Sequence, residues 1–429
     1  MTTNKSTRRR YDSSSSGDNK SIETQAKKHS QPLPPSSTTK KSSTFIEPSW
    51  KDILEVPIKI HTKQQFDSLP RAKRIAIVAR SSVLHLTLLS CLGPLILRGA
   101  IGAERSSGLA ASSSSMALTP GLSILWTINV LSWHAFHNLV NDYQDLEDDD
   151  KDVNSFRTDY GCHALKQQFL SKSQFIRLMG MVALPGIVLT IAFLRNTVVG
   201  PAAPWGLSSL FLYTILFKPF ALGEVVIYLV WGPLMAGYGF LAAGGDGGWS
   251  GIKSLFTNPA VAQFGVAAFA MIMGKHTDKI NRSNKKTLPK LLGYPLALFA
   301  CGATVLAPHV LLLLTFLKER VFISSSATMT TPTVPLGASL AFLTLFRELP
   351  SCLKILSKGQ IQQKNGGEPT LPWGTTLKGT VADFQVNRTW PLWFVAACGW
   401  HAITFLYLFV IGSGFEWIGR RALFSRLAF

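Results

Sequence analysis

The residues best suited to chemistry lie in one stretch, Trp133-His-Ala-Phe-His-Asn138-Leu-Val-Asn141-Asp142-Tyr-Gln-Asp145-Leu-Glu-Asp-Asp149-Asp150. On a helix, Asn138, Asp142, Asp145 and Asp149 are spaced 4, 3 and 4 apart and share one face. The stripe presents three carboxylates and an amide. A helix C-terminus already carries partial negative charge, so crowded carboxylates there need a positive partner. Magnesium, which takes hard oxygen ligands together with water and substrate phosphate, meets that need. The competing reading is a solvated acidic loop, the usual state of a charge run. Against it, the Asn/Asp periodicity begins inside an apolar segment, and ionisable groups at membrane depth are functional candidates. His134 and His137 read as hydrogen-bonded core or pocket-lining residues rather than as ligands.

A second polar constellation is Gly274-Lys275-His276-Thr277-Asp278-Lys279-Ile280-Asn281-Arg282, followed by Lys285-Lys286-Thr287-Leu288. Lys275, Asp278 and Arg282 fall on one helical face. One acid among cations suits a place where a diphosphate meets its metal. The rival reading is a basic helix end that snorkels to the membrane surface.

The elements that must position these residues are membrane helices. The chain is 47% hydrophobic and 16% charged, which sets it apart from ordinary soluble globules. About 20 mostly apolar residues cross the hydrocarbon. Segments near 75–97, 117–140, 175–195, 204–221, 223–243, 260–274, 294–317, 334–349 and 391–412 approach that length. The expectation is an all-α, polytopic, multi-pass integral membrane protein of about nine spans. With the N-terminus inside, the inner loops collect Lys151, Arg157, Lys166, Lys172, Lys218, the 275–290 cluster and the 347–388 cluster. The outer loops hold few cations, as the positive-inside rule requires, although the tail with Arg420, Arg421 and Arg426 falls outside. Both polar constellations then end spans on the same side, where they can face one pocket.

The formal charge of +19 does not imply nucleic acid as a partner, because the basic excess sits in the first fifty residues and in the loops rather than on one folded face. The partner it implies is the lipid bilayer. The five cysteines are scattered and form no CxxC or Cys/His spacing, so neither a disulfide framework nor a zinc site is expected. Residues 1–48 read as a disordered basic Ser/Lys/Pro-rich tail, 49–74 as an interfacial segment, 75–412 as the transmembrane domain and 413–429 as an amphipathic tail.

Taken together, the two constellations resemble the UbiA superfamily of intramembrane prenyltransferases. Asn141, Asp142, Asp145 and Asp149 match its first signature, NDxxDxxxD. Leu212-Tyr213-Thr214, Lys218-Pro219-Phe220, Leu222-Gly223-Glu224 and Gly232-Pro233-Leu234 are similar to the naphthoate prenyltransferase branch of quinone synthesis, and the likeness runs from about Ser68 to Gly412. The resemblance implies a helical bundle with a central cavity opening to the cytoplasmic side. It also implies transfer of a prenyl group from an isoprenoid diphosphate to an aromatic or other electron-rich acceptor. Magnesium would be held by Asp142, Asp145, Asp149 and Asp278, with Asn138 and Asn141 orienting metal or water. Lys275, Lys279, Arg157 and Lys286 would steady the leaving diphosphate, with Arg282 beside them. Phe136, Tyr143 and Tyr213 would face the allylic cation. One departure stands out: where the family's second motif has an acid four residues after Asp278, this chain has Arg282. Asp278 then ligates alone, Asn281 supplies a neutral oxygen, or catalysis is reduced or lost. Two other readings of the scaffold are a terpene cyclase and a non-catalytic lipid-binding or transport protein.

Overall fold

The computed structural model describes residues 47–107 apart from 56, 57 and 59, then 118–149, 161–202, 217, 220–244, 249–280, 286–322, 333–364 and 393–427. By its contacts the chain divides into Met1–Thr44 and Phe45–Phe429, and the described residues all belong to the second unit. The expected N-terminal tail lies outside them.

Among the described residues the structure is helical. Three short helices, α1 (Trp50–Glu55), α2 (Lys63–Ser68) and α3 (Arg71–Val78), lead into α4 (Leu84–Ser107) and α5 (Pro120–Asp149). Then come α6 (Lys172–Phe193), α7 (Gly223–Ala242), α8 (Trp249–Thr257), α9 (Pro259–Thr277), α10 (Leu288–Leu292) and α11 (Tyr294–Phe316). A 3-10 helix over Leu336–Leu345, α12 (Glu348–Lys364) and α13 (Trp393–Leu427) complete the order.

Six helices are long and apolar enough to cross a membrane, and a seventh span forms if α8 and α9, bent by 52° at their junction, count as one. The bend follows from sequence, since Asn258 caps α9 through the Ala260 amide and Pro259 occupies the first helical position. Of the nine expected segments, 204–221 lies almost wholly outside the described residues, and 117–140 falls in α5, whose polar residues keep it out of the apolar set. The lipid-facing surface is legible in α6 and α11, where Leu184, Val188, Ile191, Phe299 and Leu314 are exposed. In water such a surface would drive aggregation; in a bilayer it is solvated. The protein is thus an integral, multi-pass membrane protein. The tail expected from 413 continues α13 without a break to Leu427.

α9 lies at the centre, packed against α7, α11 and α13, while α4 joins α5, α7 and α13. Its buried face is built of small residues, Ala260, Ala267, Ala268 and Ala270, with Phe264 filling the space beside Phe409. Close approach of backbones is how membrane helices gain contact energy without a hydrophobic drive. A satellite core joins the α1–α3 arm to the 161–170 loop and the neighbouring ends of α5 and α6, through Ile60, Phe66, Leu139, Phe169 and Phe175.

Candidate active site

α5 is continuous through Asp149, so Asn138, Asp142, Asp145 and Asp149 stand in the helical register that puts them on one face. The side chains of Asp145 and Asp149 lie outside the described residues. Asn138 is buried and donates to the Ala79 carbonyl at 3.2 Å. Asp142 is also buried, and an unaccompanied carboxylate there would be costly. Arg80 supplies the compensating charge by donating through its guanidinium to Asp142 Oδ1. His163 Nδ1 stands 3.9 Å from the same oxygen. Arg80 has a φ of 57°, a left-handed conformation disfavoured for a side chain of this kind, just before the 3-10 turn Ser81–Val83 that opens α4.

The arm that carries Arg80 is fixed to the loop that carries His163. Lys63 donates to the Phe169 carbonyl at 3.0 Å, and the rings of Phe66 and Phe169 stack 5.3 Å apart. Gln167 joins the two segments at one point: its amide donates to the Ile60 carbonyl at 2.9 Å, while its oxygen accepts from the His163 backbone at 2.8 Å. Cys162 is buried beside this cluster. Burial pushes its thiol well above the usual range, the Asp142 charge adds to that, and Arg80 opposes it.

The second constellation is organised differently. Asp278, buried at the end of α9, accepts hydrogen bonds from the Phe394 amide at 3.0 Å and the Val395 amide at 2.9 Å. Glu224, in the first turn of α7 and almost wholly buried, meets His276 Nδ1 at 2.6 Å and accepts from the Leu288 amide at 3.0 Å. Lys275 and Lys279 are half-buried, and Lys286 is exposed ahead of α10.

His134 is hydrogen-bonded to Thr87 at 2.7 Å and sets its ring against Trp231, 5.3 Å away, as a packed core histidine does. The Tyr143 ring carries Lys172 at 5.1 Å, so one of the aromatics expected near the allylic cation already faces a lysine. Phe136 packs against Trp133 and His137. Arg157, Tyr213, Asn281 and Arg282 lie outside the described residues. Arg80, His163 and Glu224 were not singled out by sequence. Arg80 resembled any basic residue at a span entrance, His163 lacked a partner at helical spacing, and Glu224 carried no role beyond its place in a motif.

Among the described residues, no three His, Cys, Asp or Glu side chains converge as a metal cluster would. The α5 stripe still fits magnesium by donor chemistry, since one helical face offers only hard oxygen donors, with Asp142 held at its apolar end.

The model of the UbiA prenyltransferase family matches residues 105–352, more than half of the chain. No curated protein matches the chain in sequence. Among solved structures, one of digeranylgeranylglyceryl phosphate synthase in membranes is similar at 14% identity and a TM-score of 0.39, over 76% of this chain and 99% of that one.

Proposed function

Because the chain belongs to the UbiA prenyltransferase family, we propose that it transfers a prenyl group from an isoprenoid diphosphate to an aromatic or other electron-rich acceptor within the bilayer, in a magnesium-dependent reaction. The general chemistry is that of the family. Its application to an aromatic quinone precursor is supported by the sequence likeness of 212–234 to the naphthoate branch. About nine spans surround the site, which opens to the cytoplasmic side.

The observation that carries this reading is the α5 stripe, whose Asp142 is buried at the helix end and faced by Arg80 and His163. Asp142, Asp145 and Asp149 hold magnesium, with Asn141 beside them and Asn138 fixing the stripe to the arm. Bound magnesium would supply Lewis-acid neutralisation of the leaving diphosphate. Lys275, Lys279, Lys286, Arg157 and Arg282 surround the diphosphate with donors whose attraction grows as the carbon–oxygen bond breaks and its electron pair departs with phosphate. Arg80 joins this set. Apolar walls and aromatic groups, Phe136 and Tyr213 among them, keep water from the allylic carbon until the acceptor attacks.

The test incubates purified protein in lipid with magnesium, a panel of prenyl diphosphates and aromatic acceptors, and follows diphosphate release and product mass. Release should vanish with chelator and fall at least ~100-fold in Asp142→Ala, the scale of lost electrostatic stabilisation. Undiminished turnover in that variant, or a product cyclised without acceptor, would overturn the assignment.

A further inference from the structure

Asp278 stands where a second metal ligand is expected, yet both of its oxygens are engaged by the start of α13. Phe394 and Val395 are the second and third residues of that helix, and first-turn amides have no partner within their own helix. A carboxylate at this end satisfies them and meets the positive end of the helix dipole. The contact has little freedom, since a Cβ on Gly274 would lie 2.5 Å from the Phe394 carbonyl oxygen. The last turn of α9 and the start of α13 are therefore in direct backbone contact, with Asp278 bridging them.

Glu224 nearby is engaged in joining segments through Oε1, while its buried Oε2 has no hydrogen-bond partner among the described residues. Glu224 ties α7 to His276 at the end of α9 and to the first residue of α10. The charged residues next to Asp278 are cations, Lys275 and Lys279, and the sequence places Arg282 where a further acid would be needed.

We infer that this chain works with a single divalent ion, held by α5 alone; Asp278 clamps the last span, and Lys275 and Lys279 bring to the diphosphate the positive charge that a second ion would carry. The inference rests on the reading of α5 as the metal-holding element. Its chemistry is consistent, because a lysine ammonium donates to phosphate oxygens and offsets charge without needing an acid to anchor it.

The experiment uses full-length protein in lipid nanodiscs and counts bound Mn2+ by equilibrium dialysis, alone and with inorganic pyrophosphate against a protein-free blank. One ion per chain is expected, retained in Asp278→Ala and lost in Asp142→Ala. Amide exchange at Phe394 and Val395 should accelerate about tenfold in Asp278→Ala, the scale of a lost helix cap. Asp278→Asn, whose amide oxygen still accepts one bond, should recover most of that protection, and it carries the ion count should the alanine variant fail to fold. Lys275→Gln with Lys279→Gln should weaken pyrophosphate binding at least ~10-fold with the ion count unchanged. Two ions per chain, or the loss of one in either Asp278 variant, overturns the inference while leaving α5 as a metal site. No ion in the native protein overturns the reading of α5 itself.

Discussion

Arg80 and Asp142, 62 positions apart in sequence, meet as an ion pair in which the arginine backbone is left-handed and the carboxylate is buried. The arm is thereby joined to the helix that bears the acidic stripe, so the first constellation depends on residues well before it in the chain. A backbone conformation of this kind persists only when its surroundings over-determine it, and here the packed arm on one side and Asp142 on the other do so.

Removing the arginine should therefore be costly. Arg80→Ala removes the guanidinium that faces a buried carboxylate and should destabilise the protein by about 3 kcal/mol, with Arg80→Lys recovering part of the loss. Thermal unfolding in detergent, run as a double-mutant cycle with Asp142→Asn, should give a coupling of about 2 kcal/mol. A coupling under about 0.5 kcal/mol would mean that the pair is incidental.

Glu224 makes a comparable demand at the second constellation. Glu224→Ala leaves the His276 ring and the Leu288 amide without their acceptor and should cost about 3 kcal/mol. Glu224→Gln keeps an acceptor oxygen and should cost no more than about 1.5 kcal/mol. Equal losses in the two variants would show that shape rather than hydrogen bonding matters there.

Glycine sets the approach of the 3-10 helix to α13. A Cβ on Gly337 would collide with the Gly412 carbonyl oxygen, and one on Gly412 with that of Gly337. Both obstacles are backbone, so Gly337→Ala should force the crossing apart and lower stability by about 1–3 kcal/mol or more. Gly180 in α6 has nothing within 4 Å of an added Cβ, and Gly180→Ala should be neutral or stabilising by about 0.5–1 kcal/mol. Tm values measured in one detergent separate the two.

Cys162 gives a pH-dependent readout. Its thiol is held above the ordinary range by burial and by Asp142, so the reactive thiolate is scarce even in mildly basic solution. Maleimide labelling at pH 8, read at this residue by mass spectrometry, should run at least ~100-fold slower in the native protein than in the unfolded chain. As pH rises, the native rate should lag behind that of the unfolded chain, which follows the normal thiol titration. A native rate that tracks the unfolded one would mean that the arm does not cover this site.

The α5 stripe was legible because helical periodicity is a local property: Asn138, Asp142, Asp145 and Asp149 occupy their register whatever surrounds them. The bend at Asn258–Pro259 obeys an equally local rule, a cap followed by a first-turn proline, although the expected span near 260–274 carried no such bend. Long-range pairing left no such trace. Asp278 and Phe394 are 116 positions apart, and no spacing rule marks an aspartate as the cap of a distant helix. The cysteines, scattered in sequence, include three that meet in one core, Cys301, Cys352 and Cys398 from α11, α12 and α13. Arg80 was hidden by a different cause: basic residues are common at span entrances, so the rule that explains them in general masked the one that faces the acid.

With 30 residues rising 1.5 Å each, α5 is about 45 Å long, against an oily layer about 30 Å thick. Unless it leans far beyond the usual ~20°, a length equal to roughly a third of it must stand proud of the grease, and its polar last third is the part that water solvates best. That third carries Asp142, Asp145 and Asp149. An amphiphile drifting sideways in the leaflet can therefore dock with its greasy chain still immersed and its ionic head still wetted, and at no point must the head be hauled through oil.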